Sequence, residues 1–217
     1  MARPEIAWCQ VGARVVVIDI ARDTYLHLSP PLVEALHVLR SGSAHGDGPA
    51  DRFERLARIG LCDADFSRPV APTILGVPER DLPPRGINAR RRAPWAMGTA
   101  LARIVIARLA VRMIPLRVLV AWIRRLQARP SPYRPPDSEA IQTALFVRAR
   151  QLIPAQGTCL PDSIALLHFL RARGIACRMV LGVRLDPFEA HCWVQSADAI
   201  LGDTHERVAC FTPILQL

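Results

Sequence analysis

The chain has 217 residues, enough for one large domain or two small ones with a working core, and half of them are apolar. Its net charge is +9, and all 28 basic residues are arginine. The absence of lysine excludes Schiff-base chemistry and a lysine-dependent phosphate loop, while the basic excess points to an acidic partner without choosing one.

The N-terminus, MARPEIAWCQ, lacks the basic-then-apolar layout of a secretion signal, which predicts a cytoplasmic chain with reduced cysteines. The six cysteines, at 9, 62, 159, 177, 192 and 210, form no CxxC pair, so neither a disulfide framework nor a metal site is expected.

Residues 13–28, ARVVVIDIARDTYLHL, join a β-branched run to an alternating TYLHL through a turn, which is a hairpin pattern. A helix follows, with Ser29 as its cap, prolines in the first turn, Leu32, Leu36 and Leu39 at helical spacing and Gly42 as its stop. ADRFERLARIG repeats the pattern with Phe53, Leu56 and Gly60. The expected N-terminal module, residues 1–66, is therefore two or three strands followed by two helices.

Residues 67–94 are rich in proline and arginine and read as a linker, and residues 95–217 as the second domain. Within that domain, residues 95–127 are apolar enough to raise a membrane crossing, but Arg103, Arg108, Arg112 and Arg117 interrupt the roughly 20 uncharged residues a crossing needs. Two core-packing helices broken near Pro115 are expected, then a helix from Asp137 to Leu152. An amphipathic surface helix on an anionic membrane is the weaker reading.

The next segment, GTCLPDSIALLHFLRARG, places Leu160, Ile164, Leu167 and Leu170 on one helical stripe, with Arg171 and Arg173 near the C-terminal end and Gly174 after it. Cys159 opens this helix, where unpaired N–H groups and the positive end of the dipole favour a thiolate. Pro161 suits the first turn; Asp162 places a negative charge there and is expected to oppose the thiolate.

IACRMVLGVR and AHCWV then alternate as strands, with His191 and Trp193 on one face and Ala190, Cys192 and Val194 on the other. A turn over residues 196–198 would set His191 opposite Asp203, whereas a one-residue slip would separate them. Each of these residues alone is better explained by scaffolding. Together, a helix-start cysteine followed by a strand histidine and a strand-end aspartate has the order of papain-like and transglutaminase-like thiol catalysts. In that reading His191 accepts the thiol proton and later protonates the leaving amine, while Asp203 orients the ring. The Cys159 N–H and Gln156 are candidate oxyanion donors. His168 ranks as a poorer base, and Asp186 and Glu189 rank second as orienting acids.

CLPDSIALLHFLRARGIACRMVLGVRLDPFEAHCWVQ followed by LGD resembles the B proteins of lasso-peptide biosynthesis, leader peptidases with a transglutaminase-like fold. The resemblance carries the triad onto Cys159, His191 and Asp203. It also implies a ribosomally made precursor peptide as substrate, a partner macrolactam synthetase, and no cofactor or metal.

VVVIDIARDTYLHLSPP and LARIGL resemble the precursor-recognition element, a small winged-helix-like module. There the leader is bound as an added strand beside Thr24, Tyr25, Leu26, His27 and Leu28, facing a helix that carries Phe53 and Leu56. Only eight residues, SAHGDGPA, stand where a DNA-reading helix-turn-helix needs its middle helix, so peptide rather than nucleic acid is expected. The whole is an α+β chain: the small module, a proline-rich linker with helices, and a papain/transglutaminase-like domain.

Overall fold

The computed structural model describes residues 5–41, 50–63, 66, 69–82, 94–128, 136–153 and 158–217. The chain forms two compact units, Met1–Ile74 and Leu75–Leu217.

The first unit begins with three antiparallel strands in the order β1-β2-β3: β1 (Ile6–Val11), β2 (Arg14–Asp19) and β3 (Thr24–His27). The turn after β2 is held by the Asp19 carboxylate, which accepts hydrogen bonds from the N–H groups of Ala21 and Arg22 at 3.0 and 3.1 Å. Helices α1 (Pro30–Ser41) and α2 (Ala50–Ile59) follow. Gly42 and most of SAHGDGPA lie outside the described residues.

Val15, Val17 and Trp8 from the sheet meet Leu32, Leu36 and Leu56 from the helices in one core. This corrects two of the expected leader contacts. Leu56 is fully buried and Leu28 nearly so, and both pack into that core instead of facing a ligand. Their apolar period reported a core face, which sequence alone does not separate from a binding face. Thr24, Leu26 and His27 are exposed, Tyr25 is partly buried on the same outer strand, and Phe53 is partly buried against Phe66 with ring centroids 5.9 Å apart.

Part of the stretch read as linker is structured. The Trp8 indole donates to the carbonyl of Val70 at 2.8 Å and Thr73 N–H donates to Trp8. Residues 75–82 belong to the second unit, where β4 (Asp81–Leu82) pairs in parallel with β7 (Ile200–Leu201). ARRRAP lies outside the described residues, apart from Pro94.

The second unit centres on five strands in the order β4-β7-β6-β5-β8, with β5 (Arg178–Arg184), β6 (Glu189–Gln195) and β8 (Thr212–Gln216). Helices α3 (Pro94–Met113), α4 (Leu116–Ala128), α5 (Pro136–Gln151) and α6 (Cys159–Arg171) precede β5, and the short α7 (His205–Val208) precedes β8. The break between α3 and α4 falls at Pro115, as its missing N–H requires. Helix α6 packs against β6, α3 and α5. On the opposite face of the sheet Val180, Trp193 and Ile200 are covered by Leu75, Val77, Val208 and Phe211.

Core packing accounts for only one face of α3, made of Ala96, Ala100, Ile104 and Ala107. By length and a mean hydropathy of 1.3, α3 is the one described helix apolar enough to cross a membrane.

Candidate active site

Helix α6 is buried along most of its length through Ile164, Leu167, Phe169 and Leu170. That burial fixes where its N-terminus ends up. Cys159 is its first residue and is partly buried. The first intrahelical bond runs from Asp162 N–H to the Thr158 carbonyl, so the amides of the opening turn before it have no intrahelical acceptor.

Asp162 does not leave a bare charge beside the thiol. Its carboxylate accepts from Arg150 Nε at 2.7 Å, from Arg108 Nε and a terminal nitrogen at 3.3 and 3.2 Å, and from Thr158 Oγ1 at 2.8 Å. Two guanidinium groups face one carboxylate, so the group expected to oppose a thiolate sits within a net positive cluster. A further hydrogen bond, from Ser163 Oγ to the carbonyl of Cys192 at 2.8 Å, ties the helix to β6 one turn past the cysteine.

His191 lies on β6 on the face of Trp193, as the alternation predicts. The register of the hairpin differs from the expected one. Ser196 N–H donates to the Ala199 carbonyl, which makes a two-residue turn, and Gln195 pairs with Ile200 and Val194 with Leu201. In a regular ladder this slip sets Asp203 on the face of Cys192, away from His191. The strand ends at Leu201, and Gly202 takes a left-handed φ of +75° that turns the chain over. His191 Nε2 and Asp203 Oδ2 are consequently 2.6 Å apart. The expected pair is formed, by a kink and not by cross-strand pairing.

A second glycine shapes the base. Gly182 lies directly across β5 from His191. A Cβ there would stand 2.7 and 2.9 Å from the Trp193 ring and 3.0 Å from Phe211. Its absence lets those two rings pack around the imidazole, with centroids 6.2 and 5.0 Å from it.

With Nε2 on Asp203, Nδ1 is the ring nitrogen left to face Cys159, whose thiol interacts with His191. Burial pulls the imidazole toward its neutral form. The Asp203 and Cys159 hydrogen bonds outweigh it and raise His191 from its ordinary 6.5 to about 9. Burial likewise pushes the Cys159 thiol up, and the hydrogen bond and charge of His191, with backbone bonds from Cys192 and Leu160, bring it below its ordinary 9.0. Asp203 is also held down, by His191 and the Thr204 N–H against its own burial. All three directions favour a thiolate–imidazolium pair beside an ionised carboxylate.

A cleft of about 550 Å³ opens over this pair, lined by Cys159, His191, Asp203, Arg150, Glu189 and Arg207 among others. It gives a substrate access to the thiol. The Leu160 amide is one of the unpaired N–H groups expected at the start of α6, whereas the Cys192 amide depends on how β6 meets that helix and has no signal in the sequence. Gln156 lies outside the described residues.

The secondary candidates are occupied elsewhere. His168 accepts from Arg103 Nε at 3.1 Å and is held below its ordinary value by burial and that arginine. Glu189 pairs with Arg184, and Asp186 lies in the turn between β5 and β6. Burial raises the Cys9 and Cys177 thiols to about 12 and raises Cys192 as well, so these are not nucleophiles. Among the described residues no cluster of three or more His, Cys, Asp or Glu side chains is arranged to hold a metal ion.

Residues 88–216, more than half of the chain, match the family model of the Transglutaminase-like superfamily. No curated protein and no solved structure gives a significant match. The matched span contains the buried helix with its opening cysteine, the His191 strand and the Gly202 kink. By this match the chain belongs to the transglutaminase-like superfamily.

Proposed function

We propose that the protein is a cysteine peptidase that separates leader from core in a ribosomally made precursor peptide of the lasso class, with Cys159, His191 and Asp203 as its triad. The observation that carries the chemistry is the 2.6 Å His191–Asp203 pair with Cys159 at the start of α6 beside it, all three lining one open cleft. The Cys159 thiolate attacks the scissile carbonyl, and the opening amides of α6 lie close enough in the chain to receive the developing oxyanion. His191 gives its proton to the leaving amine and then takes one from the water that releases the acyl group, while Asp203 keeps the ring oriented.

The leader specificity rests on the sequence resemblance. It is supported by the outer position of β3 and by the exposed Leu26 on the side of the sheet that carries Val17 and Leu28. Holding the leader on the first unit raises the local concentration of the scissile bond, so little affinity is needed at the cleft itself. The products of such a cut are a leader with a free carboxylate and a core with a free amine, the group a macrolactam synthetase consumes.

The test uses short peptides encoded beside this gene, incubated with the full chain and read by mass spectrometry. Two hydrolysis products are expected. Cys159→Ala abolishes them while leaving peptide capture intact. Cleavage by that variant at the wild-type rate excludes the triad, and a leader recovered only as an amide adduct assigns the protein to acyl transfer instead.

A further inference from the structure

Helix α3 turns most of its larger apolar side chains outward, and α4 leaves two of its own exposed while burying Leu119, Val120 and Ile123. On α3 the side buried in the domain is mostly alanine, whereas Trp95, Ile106, Leu109 and Met113 are 68, 63, 55 and 81 % exposed. On α4, Val118 and Trp122 are exposed as well. Between the two helices runs an open groove of about 320 Å³ lined almost wholly by carbon, with Ile106, Ala110, Ile114, Val118 and Trp122 along it. An apolar face of this extent is uncommon on a monomer with nothing to bind.

The sequence that carries these two helices has charge of one sign only. From residue 83 to residue 136 the sequence contains twelve arginines and no aspartate or glutamate. The remainder of the chain carries more acidic than basic residues, so the whole net charge of +9 originates here. Arg112, Arg117, Arg124 and Arg125 are exposed on these same two helices. Among the described residues none of the four has a carboxylate partner.

We propose that the α3–α4 face is a monotopic docking surface for an anionic phospholipid bilayer, on which both helices lie with their apolar side chains among the upper acyl chains. The arginines reach from the helix flanks to lipid phosphates, and tryptophan suits the headgroup boundary. A nucleic acid matches the charge but leaves Ile106, Leu109 and Met113 in water, since such interfaces are markedly polar. The helices do not cross the bilayer: Arg108 of α3 is committed to Asp162 and to the Ile153 carbonyl, which holds α3 in the domain. This surface is independent of the reaction proposed above.

The test is co-sedimentation of the full chain with sucrose-loaded vesicles of phosphatidylcholine alone, or with roughly one-third phosphatidylglycerol. Retention on the anionic vesicles is expected to exceed that on phosphatidylcholine by about tenfold or more. It should weaken in high salt without vanishing, because the apolar contribution is not screened.

The combined variant Ile106→Ser, Leu109→Ser, Met113→Ser changes only exposed side chains. It should keep its circular dichroism and melting temperature while losing about tenfold in retention. Arg112→Gln with Arg117→Gln should reduce the preference for phosphatidylglycerol. The proposal is overturned by equal retention on both vesicle types, by no retention on either, or by a serine variant that binds as wild type. It is also overturned by a vesicle-free dimer that the serine variant abolishes, which makes this face a self-association surface.

Discussion

Asp162 shows how far the behaviour of one residue depends on neighbours distant in sequence. Read from the first turn of α6, it opposes a thiolate at Cys159; in the fold Arg108 and Arg150 surround it. Asp162→Asn should therefore cost stability, about 2–3 kcal/mol by thermal or urea unfolding, which is below a fully buried pair because Arg150 is half exposed. It also removes the negative member of the cluster, so the acid limb of the activity profile should move to lower pH. A shift to higher pH would mean that Asp162 reaches the thiol by another route.

The pair itself sets both limbs of that profile. His191 is charged below about 9 and loses its proton as pH rises through that value, so in the proposed reaction the acid for the leaving amine disappears on the alkaline side. On the acid side the thiolate takes a proton, at a pH below the ordinary thiol value of 9.0. Rates of iodoacetamide labelling at Cys159 should thus persist well below pH 9, and kcat/KM should be bell-shaped with its alkaline limb near 9. A single rise following an ordinary thiol titration would contradict the ion pair.

At the scale of elements, the parts of the site with a strong period were legible and the joints between them were not. The buried stripe of α6 placed Cys159 at a helix start, and strand alternation placed His191 beside Trp193, because each period follows from which face meets the core. The turn after β6 is one residue shorter than its composition suggests. Ser196, Ala197 and Asp198 all tolerate a turn, and the hydrogen bond from Ser196 to Ala199 that selects the two-residue form is a property of the folded strands.

Gly202 and Gly182 carry what the period does not. An alanine at Gly202 meets both a left-handed φ and Leu166 at 3.0 Å. Gly202→Ala should cost about 1–2 kcal/mol and lower kcat by tenfold or more through a displaced Asp203. Gly182→Ala forces Trp193 or Phe211 aside and should act on the same kinetic parameter through His191. Wild-type kcat in both variants would show that neither glycine positions the pair.

On the scale of the whole molecule, two compact units separate recognition from chemistry in the proposed function, and kinetics can tell the two apart. Leu26 on β3 remains 39 % exposed and belongs to the first unit. Leu26→Asp should raise KM for the full precursor about tenfold while leaving kcat and Cys159 labelling unchanged. Equal loss in kcat would place the defect in the second unit.

That strands and two helices precede a longer helix-and-strand region is visible in the order of patterned segments and proline-rich breaks. Leu28 and Leu56 could not be assigned correctly, since an apolar helix or strand position looks the same whether core or ligand covers it. The structured part of the linker was also hidden: β4 is only two residues long and is defined by its partner β7.

The Gly202 kink yields a counting rule that applies beyond this chain. In a hairpin with a two-residue loop, opposed residues differ by an odd number, so a histidine and an acid separated by an even interval face opposite sides of an unbroken ladder. Here the interval is 12, and one left-handed residue restores the parity. Relatives with the same loop and an even interval should carry a glycine or a bulge before the acid, and those with an odd interval should be free to place any residue there. An insertion of one residue in the strands between His191 and Asp203, with the two-residue loop kept, is therefore not neutral drift: it exchanges one class of hairpin for the other and releases the glycine.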